Sequence, residues 1–85
     1  MNYETSKDMN QFPDYHINIF WSDEDECFIA DIPDLKYCSA HGHTPEEALA
    51  EVLIAKQAWL EVRQEDGKPI PPARYRPVIY QAAAG

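Results

Sequence analysis

Thr44-Pro45-Glu46-Glu47-Ala48-Leu49-Ala50-Glu51-Val52-Leu53 opens the strongest local signal in this 85-residue chain. Thr44 is placed to cap a helix by accepting from the amide of Glu47, and Glu47 to reach back to the amide of Thr44, a reciprocal capping box. Pro45 falls at the first helical position, where its missing N–H costs nothing. Glu46 and Glu47 sit at the positive end of the helix dipole. The pattern predicts a helix running to about Asp66, stopped by Gly67 and followed by Pro69. Such a rod is roughly 30 Å long at ~1.5 Å per residue. Ala48, Val52, Ala55, Trp59 and Val62 form one apolar ridge, flanked by Leu49, Leu53 and Leu60. That stripe suits either one broad core face or a sheet-facing side whose far edge is buried in an oligomer.

Upstream, the period changes from 3.6 to 2. Tyr15 to Trp21 reads as a strand with Tyr15, Ile17, Ile19 and Trp21 on one face and His16, Asn18 and Phe20 on the other. Ser22-Asp23-Glu24-Asp25 is a polar break suited to a hairpin turn. Glu26 to Ile32 reads as a second strand, with Phe28, Ala30 and Ile32 opposed to Cys27 and Ile29, and Pro33-Asp34 ends it. Strands joined by so short a link pair antiparallel. A weaker third strand is expected around Tyr37 to Ala40. Downstream, Pro69, Pro71 and Pro72 enforce an extended path, and Tyr75, Val78, Ile79 and Tyr80 carry a faint strand pattern. The fold class is therefore α+β: a small antiparallel sheet of three strands, with room for a fourth, packed on one long amphipathic helix in the order β-β-β-α-(β). The chain divides into a loose arm (1–14), the α+β domain (15–72) and a C-terminal extension (73–85).

The bulk composition agrees with one small folded domain: 45% of residues are hydrophobic and ten are aromatic. A chain of this size buries roughly 60–65% of its unfolded surface, so self-association would usefully cover more. Fifteen acidic side chains against seven basic ones give a net charge of −8. A phosphate backbone would be repelled by most of such a surface, and a basic partner is its natural complement. Residues 1–47 hold eleven acids against Lys7 and Lys36, whereas residues 67–85 hold Lys68, Arg74 and Arg76 and no acid. Cys27 and Cys38 do not form a disulfide framework, the first residues are polar, and no run approaches the roughly 20 apolar residues of a membrane span. These features lead us to expect a cytoplasmic protein with reduced cysteines.

Clusters with chemical potential are few. Asp23-Glu24-Asp25-Glu26 is the densest acidic run, yet it lacks the spacing and glycine of a calcium loop and reads first as a solvated hairpin tip. Cys38, His41 and His43 are close in sequence, but their spacing matches no strong zinc signature. Cys38 beside His41 would need an oxyanion hole and a cleft to act as a nucleophile, and nothing suggests either. Three glycines cannot build a phosphate loop. Asp31 is the only acid well inside a strand pattern, too few for a metal-dependent nuclease. No enzyme activity, metal or cofactor is expected.

From Tyr15 to Pro72 the motifs, taken in order, resemble the HicB antitoxin family. Ile17-Asn18-Ile19-Phe20-Trp21 is followed by the acidic turn, then by Phe28-Ile29-Ala30-Asp31-Ile32-Pro33-Asp34-Leu35, similar to the family's Y-V-A-E-V-P-D-L. Cys38, Gly42 and Thr44-Pro45-Glu46-Glu47-Ala48-Leu49 are similar to C-x-x-x-G-x-T-x-E-E-A-L, and Gly67-Lys68-Pro69-Ile70-Pro71 to G-x-x-I-P. The resemblance implies a partial ribonuclease H-like fold without nuclease activity and assembly into dimers or higher homo-oligomers. It also implies binding to a small basic HicA-like ribonuclease toxin, whose active site the antitoxin covers. Many members add a C-terminal DNA-binding domain. Here about 13 residues follow Pro72, so none is expected in this chain, nor direct nucleic-acid or membrane binding. Two departures matter: that short end, and Lys36-Tyr37 in place of the family's Pro-Gly, which implies a different turn before Cys38. Asp23, Glu24, Asp25 and Asp34 are the residues expected to touch the toxin. The alternative is a homo-oligomeric scaffold or interaction protein without a toxin.

Overall fold

A computed structural model describes residues 12–80. Strands β1 (Asn18–Ser22), β2 (Cys27–Asp31) and β3 (Ser39–Gly42) form one antiparallel sheet in the order β1-β2-β3, and helix α1 (Pro45–Glu65) follows. The expected α+β arrangement is therefore present. Each strand differs from its sequence-based bounds by one to three residues; β1 shows the largest shift, starting at Asn18 rather than Tyr15, and β3 starts at Ser39 rather than near Tyr37.

The register assigns the two faces. Ile19 pairs with Ala30 and Ala30 with Ala40, while Trp21 pairs with Phe28 and Phe28 with Gly42. Directly opposed residues share a face, so these side chains lie on the helix side. Phe20, Ile29 and His41 align across the three strands on the other side. Ala30, Ile32, Leu35, Cys38, Ala48, Val52 and Leu60 form the buried centre. Burying a Leu or Ile side chain contributes about 1.5–3 kcal/mol.

Three departures from the sequence reading have physical causes. Phe12 and Tyr15 are buried in the same cluster, so the arm expected over residues 1–14 gives way to packed chain by Phe12; residues 1–11 lie outside the described residues. On the helix, Ala48 and Val52 of the expected ridge are fully buried and Ala55 and Trp59 pack against the core, but the flanking Leu60 is fully buried and Val62 is exposed, because the core direction turns toward Leu60 in the last turns. Finally, residues 78–80 are helical and 71–77 carry no regular structure, so the allowed fourth strand does not form among the described residues.

Both helix ends are closed by local chemistry. The Thr44 hydroxyl accepts from the Glu47 amide at 3.1 Å as expected, but the Glu47 carboxylate accepts from the amide of His43 at 2.8 Å, one residue before the one anticipated. At the C-terminus Gly67 takes φ 72, Gly67 N donates to Gln64 O and Lys68 N donates to Arg63 O, both at 3.0 Å. This is a Schellman closure, whose left-handed residue a glycine adopts without a Cβ penalty.

The turn before Cys38 keeps the geometry that glycine favours despite carrying none. Cys38 N donates to Leu35 O at 3.0 Å, and Tyr37, third in that turn, sits at φ 64. A non-glycine residue there costs about 1–2 kcal/mol. Tyr37 is 90% exposed, with the Lys36 ammonium 5.4 Å from its ring centroid. Tyr37→Gly is therefore expected to raise stability by about 0.5–1 kcal/mol, after allowing for glycine's larger unfolded-state entropy. Tyr37→Val should lower it by about 1 kcal/mol, since a β-branched side chain tolerates the left-handed region least. Urea unfolding midpoints of the two variants, moving in opposite directions, check this.

Candidate functional site

The acidic residues singled out from the sequence divide into two places. Asp23, Glu24 and Asp25 are exposed in the loop between β1 and β2. The loop is held by its own polar groups: Glu26 N donates to Ser22 O at 2.8 Å, Asp25 N to Ser22 Oγ at 3.1 Å, and Trp21 Nε1 to Asp23 Oδ1 at 2.8 Å. Glu26 closes the loop with φ 55. Trp21 packs edge-on against Phe28, 5.2 Å between centroids, so the base of the hairpin is braced on the helix side. The three carboxylates thus project from a defined tip rather than a loose loop.

Asp34 lies elsewhere. The five residues of β2 separate it from the tip by about 17 Å of strand, and its carboxylate already has partners. One oxygen accepts from the Arg74 amide and both from the Tyr75 amide, each at 3.1 Å. Asp34 therefore fastens the C-terminal extension onto the domain. Tyr15 joins the same seam: its hydroxyl donates to Pro71 O at 2.6 Å, and its pKa is raised by burial and, secondarily, by the charge of Asp34. His16 stacks at a tilt on Tyr75, 4.8 Å between centroids.

The cysteine and histidines near β3 do not converge. Cys38 is buried on the helix side, where burial raises its pKa against a smaller lowering by Lys56. His41 lies on the opposite face of the sheet, and the His43 side chain is exposed beside Glu47 at 3.4 Å. Among the described residues no group of three or more His, Cys, Asp or Glu side chains is arranged to hold a metal ion. Asp31 also lies on the open face. No described helix is long and apolar enough to cross a membrane.

Sequence reasoning misses two features. Trp59 donates through Nε1 to Lys36 O at 3.0 Å, and the Arg63 guanidinium lies 5.2 Å over its ring, so Tyr37, Lys36, Trp59 and Arg63 gather at one corner. Lys36 and Trp59 are 23 positions apart, and no local period links them. The second is an open groove of about 570 Å³ between β3 and α1, lined by Ala40, Gly42, Ala50 and Ile54 among others. The small residues at 40, 42 and 50 are its sequence signal, and the larger Ile54 and Glu51 also line it.

No protein-family model matches the chain, and no solved structure matches it. Over 44 residues, 52% of its length, the chain is 46% identical to the UPF0150 protein ssl0259 of Synechocystis sp. (strain ATCC 27184 / PCC 6803 / Kazusa), and the matched stretch spans 60% of that relative.

Proposed function

We propose that this chain is an antitoxin-type interaction protein of the HicB kind, which binds a small basic ribonuclease and covers its RNA-binding surface. The carrying observation is the braced hairpin tip that presents Asp23, Glu24 and Asp25 to solvent on a protein of net charge −8. A fixed cluster of carboxylates complements a surface evolved to hold phosphates, and it speeds encounter as well as fixing orientation. The ordered HicB-like motifs and the similarity to the UPF0150 relative over half the chain support the same assignment. In this reading the chain acts by occlusion and performs no catalysis. The contact set narrows to the three exposed tip residues, because Asp34 lies apart from them and fastens the extension through the Arg74 and Tyr75 amides.

The test is co-purification with a small basic protein encoded beside it, followed by Glu24→Lys. Binding should weaken by about tenfold, mainly through a slower on-rate, and should lose part of its salt dependence. Recovery of no basic protein, or a complex indifferent to Glu24→Lys and to salt, refutes the reading. The second reading, a homo-oligomeric protein without a toxin, is favoured by the outer edge of β3, which no other strand among the described residues pairs with.

A further inference from the structure

One corner of the molecule reverses the charge of the rest. Trp59 and Arg63 lie one helical turn apart on α1, and the Arg63 guanidinium is 5.2 Å from the Trp59 ring centroid. The Schellman closure then turns the chain back, with Lys68 N donating to Arg63 O at 3.0 Å, so Lys68 joins the same corner. Lys36, whose carbonyl accepts from the Trp59 indole at 3.0 Å, brings a third cation. Neither Arg63 nor Lys68 takes part in an ion pair among the described residues, so the 15 acids of the chain leave these two cations unneutralised.

An open pocket of about 560 Å³ lies at this corner. Its apolar part is Ala55, Ala58 and Val62 beside the Trp59 ring, and Arg63, Asp66 and Lys68 complete the lining. Ala58 is exposed and Val62 is 56% exposed, so the chain itself leaves this apolar surface in water. The polar part is already ordered. The indole is fixed by Lys36 O, and Arg63 is fixed by the ring and by Pro69 O, to which its Nε donates at 2.9 Å. Both Nη groups remain, and they present the paired donors that match a carboxylate. A ligand met by side chains already in place is spared their ordering cost.

These features select the occupant. An apolar surface with two cations beside it suits a segment that carries an apolar side chain next to carboxylates. A basic or neutral segment would leave Arg63 and Lys68 unanswered. A nucleic-acid strand would answer them, but its phosphates continue in both directions onto a surface of net charge −8. A short acidic segment needs only the local cations, because at physiological salt more distant charges are screened beyond about 8 Å.

We infer that the Trp59 pocket is a docking site for an acidic peptide segment of a partner protein, one apolar side chain packing against Trp59 and Val62 while the flanking carboxylates meet Arg63 and Lys68. The site is separate from the hairpin tip and opposite to it in charge, so it does not rest on the toxin-binding reading.

The probes are an acetylated, amidated Asp-Glu-Leu-Glu-Asp peptide and its counterpart with Phe at the centre. Titrated into the full chain, at least one should shift the Trp59 indole N–H resonance, identified by its persistence in Trp21→Phe, with a Kd of about 0.1–1 mM. The same peptide with Asn and Gln in place of its acids should bind at least about tenfold more weakly. Lys68 and Asp66 are both exposed just beyond the helix. Lys68→Glu should weaken the acidic peptide by about tenfold and Asp66→Asn should tighten it by about threefold, while Glu24→Lys leaves it unchanged. Opposite effects at two neighbouring exposed positions do not arise from loss of fold. The inference is overturned if neither acidic peptide moves the resonance at about 5 mM, or if the uncharged peptide binds equally well. An oligoadenylate RNA that shifts it at lower concentration than the peptides overturns it in favour of a nucleic acid, and a resonance that moves with protein concentration alone overturns it in favour of a second copy.

Discussion

Replacing Gly42 with alanine should destabilise the domain by about 2–3 kcal/mol, although the change adds one methyl group. Gly42 is buried at the end of β3, where the chain turns into α1. A Cβ built there would lie 2.6 Å from Ala48 N, 2.6 Å from Glu47 Cβ and 2.8 Å from Glu47 C. Two of these three atoms are backbone of the first helical turn, which cannot swing aside as a side-chain tip would. The helix would have to back away from the sheet, loosening Ala48 and Val52 from Ala30. A chain of this length is stable by only about 4–13 kcal/mol in total, so the loss is a large fraction. Gly67 provides the contrast. It sits at φ 72, and a Cβ at that position would meet nothing within 4 Å, so its requirement is conformational and not spatial. Gly67→Asn should cost little, because asparagine tolerates the left-handed region, whereas Gly42→Asn should be at least as damaging as Gly42→Ala. Urea unfolding at fixed protein concentration measures all three, and a Gly42→Ala variant within about 0.5 kcal/mol of the parent would contradict the packing argument.

The ease of reading different parts of this chain follows from how local their causes are. The helix start is legible because Thr44, Pro45 and Glu47 act on neighbouring backbone, and the stop because Gly67 supplies a backbone angle. Even there the carboxylate of Glu47 pairs with the His43 amide and not with that of Thr44, a choice that depends on side-chain rotamers. The strand faces are legible from alternation alone. What period cannot supply is the position of α1 over the sheet. It packs chiefly on β3 and β2, so Leu49 and Leu53 remain partly exposed and Ile54 lies far from the core. Nor can sequence show that Asp34 is taken by amides 40 and 41 positions away. As an acid near others in an acidic segment it reads as surface charge, and only the return of the extension gives it its role. The hairpin tip is legible as a turn, while its bracing by Trp21 and Ser22 is not. The open edge of β3 is invisible for a similar reason: a strand's sequence does not say how many neighbours it has.

Leu60→Ala should be the most damaging truncation on the helix, costing about 2–5 kcal/mol, while Leu53→Ala should stay within about 1 kcal/mol of the parent. Both are leucines on the same helix and both flank the apolar ridge in sequence. Leu60 is 0% exposed, whereas Leu53 is 41% exposed. Truncating Leu60 removes buried methyl groups from a cluster that includes Ile32, Leu35 and Val52, and it leaves a cavity that a small core can close only by moving the helix. At Leu53 much of the side chain already meets water, so little transfer free energy is lost, and alanine's better helix propensity offsets part of that. The cost at Leu60 also spreads to the seam with the extension. Tyr15 belongs to the same cluster as Leu60 and donates its hydroxyl to Pro71 O, so loosening the core slackens the contact that, with Asp34, holds residues 71–75 in place. Leu60→Ala is therefore expected to speed amide exchange at Arg74 and Tyr75 as well as to lower the urea midpoint, and Leu53→Ala to do neither. Equal destabilisation by the two truncations would mean that α1 does not rest on the sheet through Val52 and Leu60.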